Sequence, residues 1–311
     1  MSSHPQALVL GLALPLLGCQ DYQVARIPHG DTFEQGGAIR PVDVLWILDN
    51  SATMTEEQDA LAAAFPAFAE VVGDGVVDMQ MGITTTDVEE QQGLLVGDVL
   101  TVDTEDLVSA FATQADVGTL GAREEQPLEA LQLATSEPAL SEGNDALFRD
   151  GTDLAIIIVT DEDDQSEAEV SDYLDHLADF ASDRAYRVSV VGGPIPAGCA
   201  SKTSSAEPAE RLAYAVDLTD GVFMSICEQD YTPVLTNLAF GAIGLSASFE
   251  LSLLPDLESV KVEVDDVVIH QRPEDGWQYD PADNAIVFDG LAVPRPGQEV
   301  FVEYYELYSV D

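Results

Sequence analysis

Two short stretches of this sequence carry residues able to coordinate a hard cation. Asp49-Asn50-Ser51-Ala52-Thr53 sets one carboxylate and two hydroxyls at alternate positions, and Thr160-Asp161 supplies a second carboxylate. Such oxygens suit Mg2+, Mn2+ or Ca2+ rather than zinc. Each stretch closes an apolar run, VDVLWILD at 42–49 and DLAIIIVTD at 153–161. Runs of that kind predict strands buried on both faces, and open α/β sheets bind ligands at the carboxyl ends of their strands. Gly118-Thr119, ahead of a further helix, offers a third hydroxyl.

The elements around these residues follow from periodicity. Thr55-Glu56-Glu57-Gln58 has capping-box spacing. Leu61, Phe65, Phe68 and Val72 then recur at helical spacing, with Pro66 expected to kink that helix. Further strands are expected at 77–86, 94–102, 186–191 and 221–226. Helices are expected around Leu128, Leu131 and Ala134, across Val170 to Phe180, and at 232–244. Strands alternating with helices predict βαβ units and a mostly parallel sheet flanked by helices. After about Ala247 the period changes to two, as in Val260, Val262 and Val264, between Asp-, Pro- and Gly-rich turns. This predicts a small all-β module of about 60 residues, too small to be stable alone and so packed on the larger domain.

The text VDVLWILDNSATMTEEQ, then MGITTTD, IIIVTDEDD and GVFMSIC, resembles bacterial lipoproteins with a von Willebrand factor A domain. That resemblance implies a Rossmann-like α/β fold at 41–246 followed by a β-sandwich-like module at 247–311. It also implies a metal-ion-dependent adhesion site. The family pattern is D-x-S-x-S, a threonine in a second loop, and an aspartate after a later strand. Asp49, Ser51 and Thr53 match the first element, with Thr53 replacing the usual serine. Thr119 is the candidate for the second and Asp161 for the third. The implied cofactor is a divalent metal, Mg2+ first, with Mn2+ or Ca2+ compatible. The implied partner is a protein offering a carboxylate to that metal.

The N-terminus reads as an export address. Residues 7–18, ALVLGLALPLLG, are apolar but too short for a membrane span of about 20 residues. They end in Leu-Leu-Gly-Cys19, similar to a bacterial lipobox, although the preceding MSSHPQ holds no Lys or Arg. A signal peptide at 1–18, lipidation of Cys19 and a flexible tether at 19–40 are the expectation, with the outer membrane favoured because Gln20 is not Asp. Export would expose Cys199 and Cys227 to an oxidising compartment, and a bond between them would be worth about 3 kcal/mol.

Composition narrows the partners. Against 58 acidic residues stand 11 basic ones, for a formal net charge of −47, and only Lys202 and Lys261 are lysines. Such a surface repels phosphate backbones, which excludes nucleic acid. Acid spread along the whole chain fits a salty habitat, where screening shortens to about 3 Å at 1 M, or general solubility.

An enzymatic alternative is a haloacid-dehalogenase-like phosphotransferase, which also ends a strand in Asp but needs a second Asp where Ser51 stands. Neither a P-loop, an H-E-x-x-H nor a G-x-S-x-G occurs. An EF-hand from Asp161 fails, because Ser166 and Asp172 occupy its Gly and Glu positions. A scaffold lipoprotein with a degenerate metal site is the third reading. Asp163 and Asp164 are expected as solvated charge at a helix start, Asp87 as a loop residue, and His176 and His270 as structural.

Overall fold

The computed structural model describes residues 27–36, 40–73, 77–182, 184–202, 204–273, 275–281 and 284–307. The expected signal peptide and Cys19 lie outside them. In chain order the first elements are β1 (His29–Glu34), β2 (Val42–Leu48), α1 (Thr55–Val72), β3 (Met79–Thr85), β4 (Leu100–Thr101), α2 (Leu107–Ala115), α3 (Pro127–Ala134) and α4 (Ala139–Glu142). There follow β5 (Asp153–Val159), α5 (Val170–Phe180), β6 (Tyr186–Gly192), β7 (Cys199–Ala200), β8 (Ser205–Ala206), α6 (Glu210–Thr219), β9 (Phe223–Ser225) and α7 (Thr232–Ala242). The C-terminal strands are β10 (Ser248–Glu250), β11 (Lys261–Val264), β12 (Val267–Ile269), β13 (Trp277–Asp280), β14 (Ala285–Phe288) and β15 (Glu299–Tyr304).

The main sheet has the order β4-β3-β2-β5-β6-β9. All neighbours are parallel except the edge pair β3 and β4. This is a doubly wound α/β sheet. The chain leaves β2 toward β3 on one side and β5 toward β6 on the other, so the strand order reverses between β2 and β5, where such folds open a crevice. The two most apolar runs therefore stand side by side in register, with Leu48 opposite Val159.

Alternate residues of these strands feed two cores. Val44, Trp46, Leu48, Ile157 and Val159 pack with Phe65 and Phe68 of α1, Phe111 of α2 and Leu235 and Leu238 of α7. Trp46 meets Phe68 and Phe111 edge-on, at 5.3 and 5.2 Å between centroids, an arrangement aromatic rings favour. Leu45, Ile47, Ile156 and Ile158 pack on the other side with Leu128 and Leu131 of α3, Leu174 and Leu177 of α5 and Leu212 of α6.

The C-terminal module consists of two antiparallel sheets, β1-β15-β11-β12 and β10-β14-β13. Its Phe249, Phe288, Val262, Val300 and Val302 belong to the same buried cluster as α1 and α7, so it shares a core with the α/β domain, as its size requires.

Several expectations are corrected. The segment 19–40 is not wholly a tether, because His29–Glu34 pairs with β15 from His29 opposite Tyr304 to Glu34 opposite Glu299. The expected strand at 94–102 shrinks to Leu100–Thr101, since Gly93 and Gly97 both adopt positive φ near 73° and break the extended path. The α1 capping box does not form; the residue before the helix makes no side-chain cap, and Gln58 is used elsewhere. Asp164 is not solvated charge, while half-buried Asp163 does serve a helix start, that of α6. Asp163 caps α6 by accepting from the Arg211 and Leu212 amides, and Asp164 is buried, accepting from Leu128 N and Arg211 Nε. His176 is structural, bonded to Thr135 at 2.9 Å.

Candidate functional site

β2 and β5 deliver Asp49 and Asp161 to the same edge of the sheet. Asp49 is completely buried. Its amide continues the ladder to Val159 O at 2.9 Å. Its carboxylate accepts from Ser51 N at 2.7 Å and from Thr160 Oγ at 2.8 Å, so both strand ends hold it. The tight turn that brings Ser51 N back also brings Ser51 Oγ within 3.1 Å of Thr53 Oγ. The Thr53 hydroxyl in turn lies close enough to Asp161 to act on its ionisation. Asp49, Ser51, Thr53 and Asp161 are thus linked in one cluster.

The neighbouring loops are built around this turn. Gln58 donates to Asp49 O and Gly118 O, both at 3.0 Å, tying α1 to the loop 116–126. Gly121 N donates to Asn50 O at 2.9 Å, and a Cβ at Gly121 would fall 2.1 Å from Asn50 Oδ1, so a larger residue there would push the Asn50 side chain aside. Asp87 is buried and accepts from Ala122 N, fastening the same loop. Thr119 lies half-buried on it, lining a cleft with Asn50, Asp87 and Gly121. Among the described residues no hydrogen bond joins Thr119 to the cluster.

The residue that loop presents to Asp49 is Glu125, which the sequence reading missed. Glu125 is 1 % exposed, accepts from the Thr86 hydroxyl, and meets the Asp49 carboxyl. Burial, the Asp49 charge and the shared contact push its carboxyl up to about 8, against the Thr86 hydrogen bond. Nothing in the text AREEQP separates it from the exposed Glu124. Only its place two residues ahead of Pro127, which starts α3, hints that it ends the loop.

The electrostatics are those of buried carboxyls crowded against one another. Burial pushes Asp161 up to about 6, with the charges of Asp49, Glu57 and Glu162 adding to it and the Thr53 hydroxyl opposing. Glu162 is raised by burial and then by Asp49. Asp161 Oδ1, Glu125 Oε1, Glu57 Oε2 and Asn50 Oδ1 are buried without a hydrogen-bond partner, and such oxygens are costly to leave unsatisfied. Among the described residues no group of three or more His, Cys, Asp and Glu side chains is placed to hold a metal by itself. A cation here must therefore draw on the hydroxyls as well as the carboxylates, and the donor set fits a hard divalent ion.

One flank of the edge is stapled. Cys199 and Cys227 form the expected disulfide, with Cα atoms 6.1 Å apart. The loop it closes runs past Glu207, whose amide donates to Asp161 O at 3.0 Å.

No protein-family model matches this sequence, and no curated protein matches it. Among solved structures the chain is similar to a von Willebrand factor type A protein from Catenulispora acidiphila, at 14 % identity and TM-score 0.46, over 93 % of this chain and 67 % of that one. It is similar to the pilus adhesin SpaC from Lactobacillus rhamnosus GG in its open conformation, at 12 % identity and TM-score 0.47, over 89 % of this chain and 40 % of that one. It is also similar to proximal thread matrix protein 1 from the mussel byssus, at 11 % identity and TM-score 0.42, over 71 % of this chain and 51 % of that one.

Proposed function

We propose that this chain is a divalent-cation-dependent binding module of the bacterial cell envelope, anchored by lipid at Cys19. The observation that carries the reading is the convergence of Asp49, Ser51, Thr53 and Asp161 at the strand-order reversal, with Asp161 Oδ1 buried and unpartnered. Ser51 and Thr53 would hold the cation directly, and Asp49 and Asp161 directly or through water. When bound, the cation offers an electrophilic position to an oxygen of a partner, such as a protein carboxylate. Ser51 N and Thr160 fix the Asp49 carboxylate so that it need not reorganise on binding. Glu125, beside Asp49, keeps its proton near neutral pH, and release of that proton as a cation binds would add charge that favours the ion and tempers its pull on an acidic partner. Ser51 stands where a phosphotransferase needs its acid/base carboxylate, which favours binding over catalysis.

Thermal melts with Mg2+ against chelator test the reading. A bound ion should stabilise the fold by about 2.7 kcal/mol at a hundred times its dissociation constant. Asp49→Ala and Asp161→Asn should each abolish that gain, the second variant guarding against loss of the Asp49 hydrogen bonds. A gain retained by both variants overturns the proposal.

A further inference from the structure

We infer that the end of the C-terminal module carrying Ile27, Leu254, Leu257 and Leu307 seats on the lipid bilayer. This rests on the lipid-anchor reading of Cys19 and goes beyond it, since an anchor alone leaves the protein free to tumble on its tether.

Four large apolar side chains are exposed together at this end, Ile27 at 86 %, Leu254 at 57 %, Leu257 at 48 % and Leu307 at 57 %. Backbone bonds hold them near one another. Leu307 N donates to Leu254 O at 2.8 Å, Asp256 N donates to Tyr305 O at 2.7 Å, and Ile27 lies two residues ahead of His29, which is opposite Tyr304. Leu257 borders a cleft with Arg272, Pro273, Tyr279 and Pro281. The same segments carry Asp256, Glu258 and Glu306, so the cluster, edged also by Arg272 and Tyr279, suits the headgroup boundary of an uncharged bilayer, where amphipathic side chains lie with their polar tips in water.

The path of the chain selects the bilayer as the occupant. Only eight positions separate Cys19 from Ile27. Fully extended they reach about 29 Å at most. The body meets that tether through β1, and β1 is locked in place. Tyr304 OH donates to Asp31 at 2.6 Å, Ser252 Oγ donates to Asp31 at 2.7 Å, and His29 Nε2 lies 2.7 Å from Ser252 Oγ. A lipid on Cys19 therefore holds this end of the module within about 29 Å of the membrane, and the exposed apolar cluster selects which surface then meets it.

The test anchors the mature chain artificially, so that it does not depend on native lipidation. Cys199 and Cys227 are bonded to each other, which leaves Cys19 as the thiol for coupling to a maleimide lipid. The vesicles are phosphatidylcholine with brominated acyl chains, which quench tryptophan on contact. Trp46 and Trp277 are buried and supply a constant background. Leu257→Trp and Leu307→Trp should each lose most of their added emission. Leu120→Trp, at a 99 % exposed position on the loop beside the cation site, should keep its own. Quenching of all three alike, or of none, overturns the inference. Failure of the anchor reading is seen separately, as a native mature chain whose Cys19 carries no lipid by mass spectrometry.

Discussion

Glu125→Gln separates the charge of the candidate site from its shape. Glutamine keeps the volume and the acceptor for Thr86, and removes the carboxylate that burial and Asp49 push up to about 8. An acid raised on folding costs nothing below the ordinary carboxylate range, where it is protonated in both states. The cost grows as pH rises from the ordinary value of 4.5 toward 8, because the unfolded chain releases a proton that the folded one keeps. At pH 7 the shift converts to roughly 3 kcal/mol, and to roughly 2 kcal/mol once solvent screening is allowed for. In chelator at pH 7 the variant should therefore melt above the wild type, by about 3 °C for a chain of this size. At pH 4 the two should coincide. Saturating Mg2+ should narrow the gap at pH 7, since a cation relieves the same crowding in the wild type. Circular dichroism melts at the two pH values, with and without Mg2+, read all of this. A variant that melts below the wild type in chelator at pH 7 would show that Glu125 is held by favourable contacts, and would remove the carboxyl crowding on which the cation proposal draws.

Three further outcomes follow from other parts of the molecule. Stability should rise with NaCl toward molar concentrations, because screening relieves the self-repulsion of 58 acids against 11 bases; a flat or falling series of melts returns the charge to plain solubility. Replacing Cys199 and Cys227 by serine together should cost about 3 kcal/mol in denaturant titrations, and an unchanged midpoint would remove the disulfide from the account of stability. Asp43→Ala should cost about 3–5 kcal/mol, because Asp43 is fully buried, accepts from Arg149 N and Nε at 2.7 Å and lies 3.9 Å from Arg184. Its Mg2+ response should survive, since Asp43 is the second residue of β2 and Asp49 follows its end; a lost response would mean that the two ends of the strand are coupled.

The sequence by itself determined the central strands, most of the helices around them, the disulfide partners, and the ends at which Asp49 and Asp161 stand. Those features are local: a run of apolar residues buries on both faces wherever it lies, and the residue after it emerges at the sheet edge. Tertiary structure alone decided that β2 and β5 are neighbours, which is what turns two separate aspartates into one cluster. It decided that β1 belongs with β15, a pairing across some 270 positions with no local trace, since β1 buries only alternate residues partially. It assigned Gln58 to the Asp49 turn instead of a helix cap. It also chose Glu125 over Glu124 and over Thr119 as the side chain facing Asp49. Periodicity reports which face of an element is apolar. Which loop closes over a strand end depends on contacts far apart in the chain, and there side chains of one type in adjacent positions come to opposite fates.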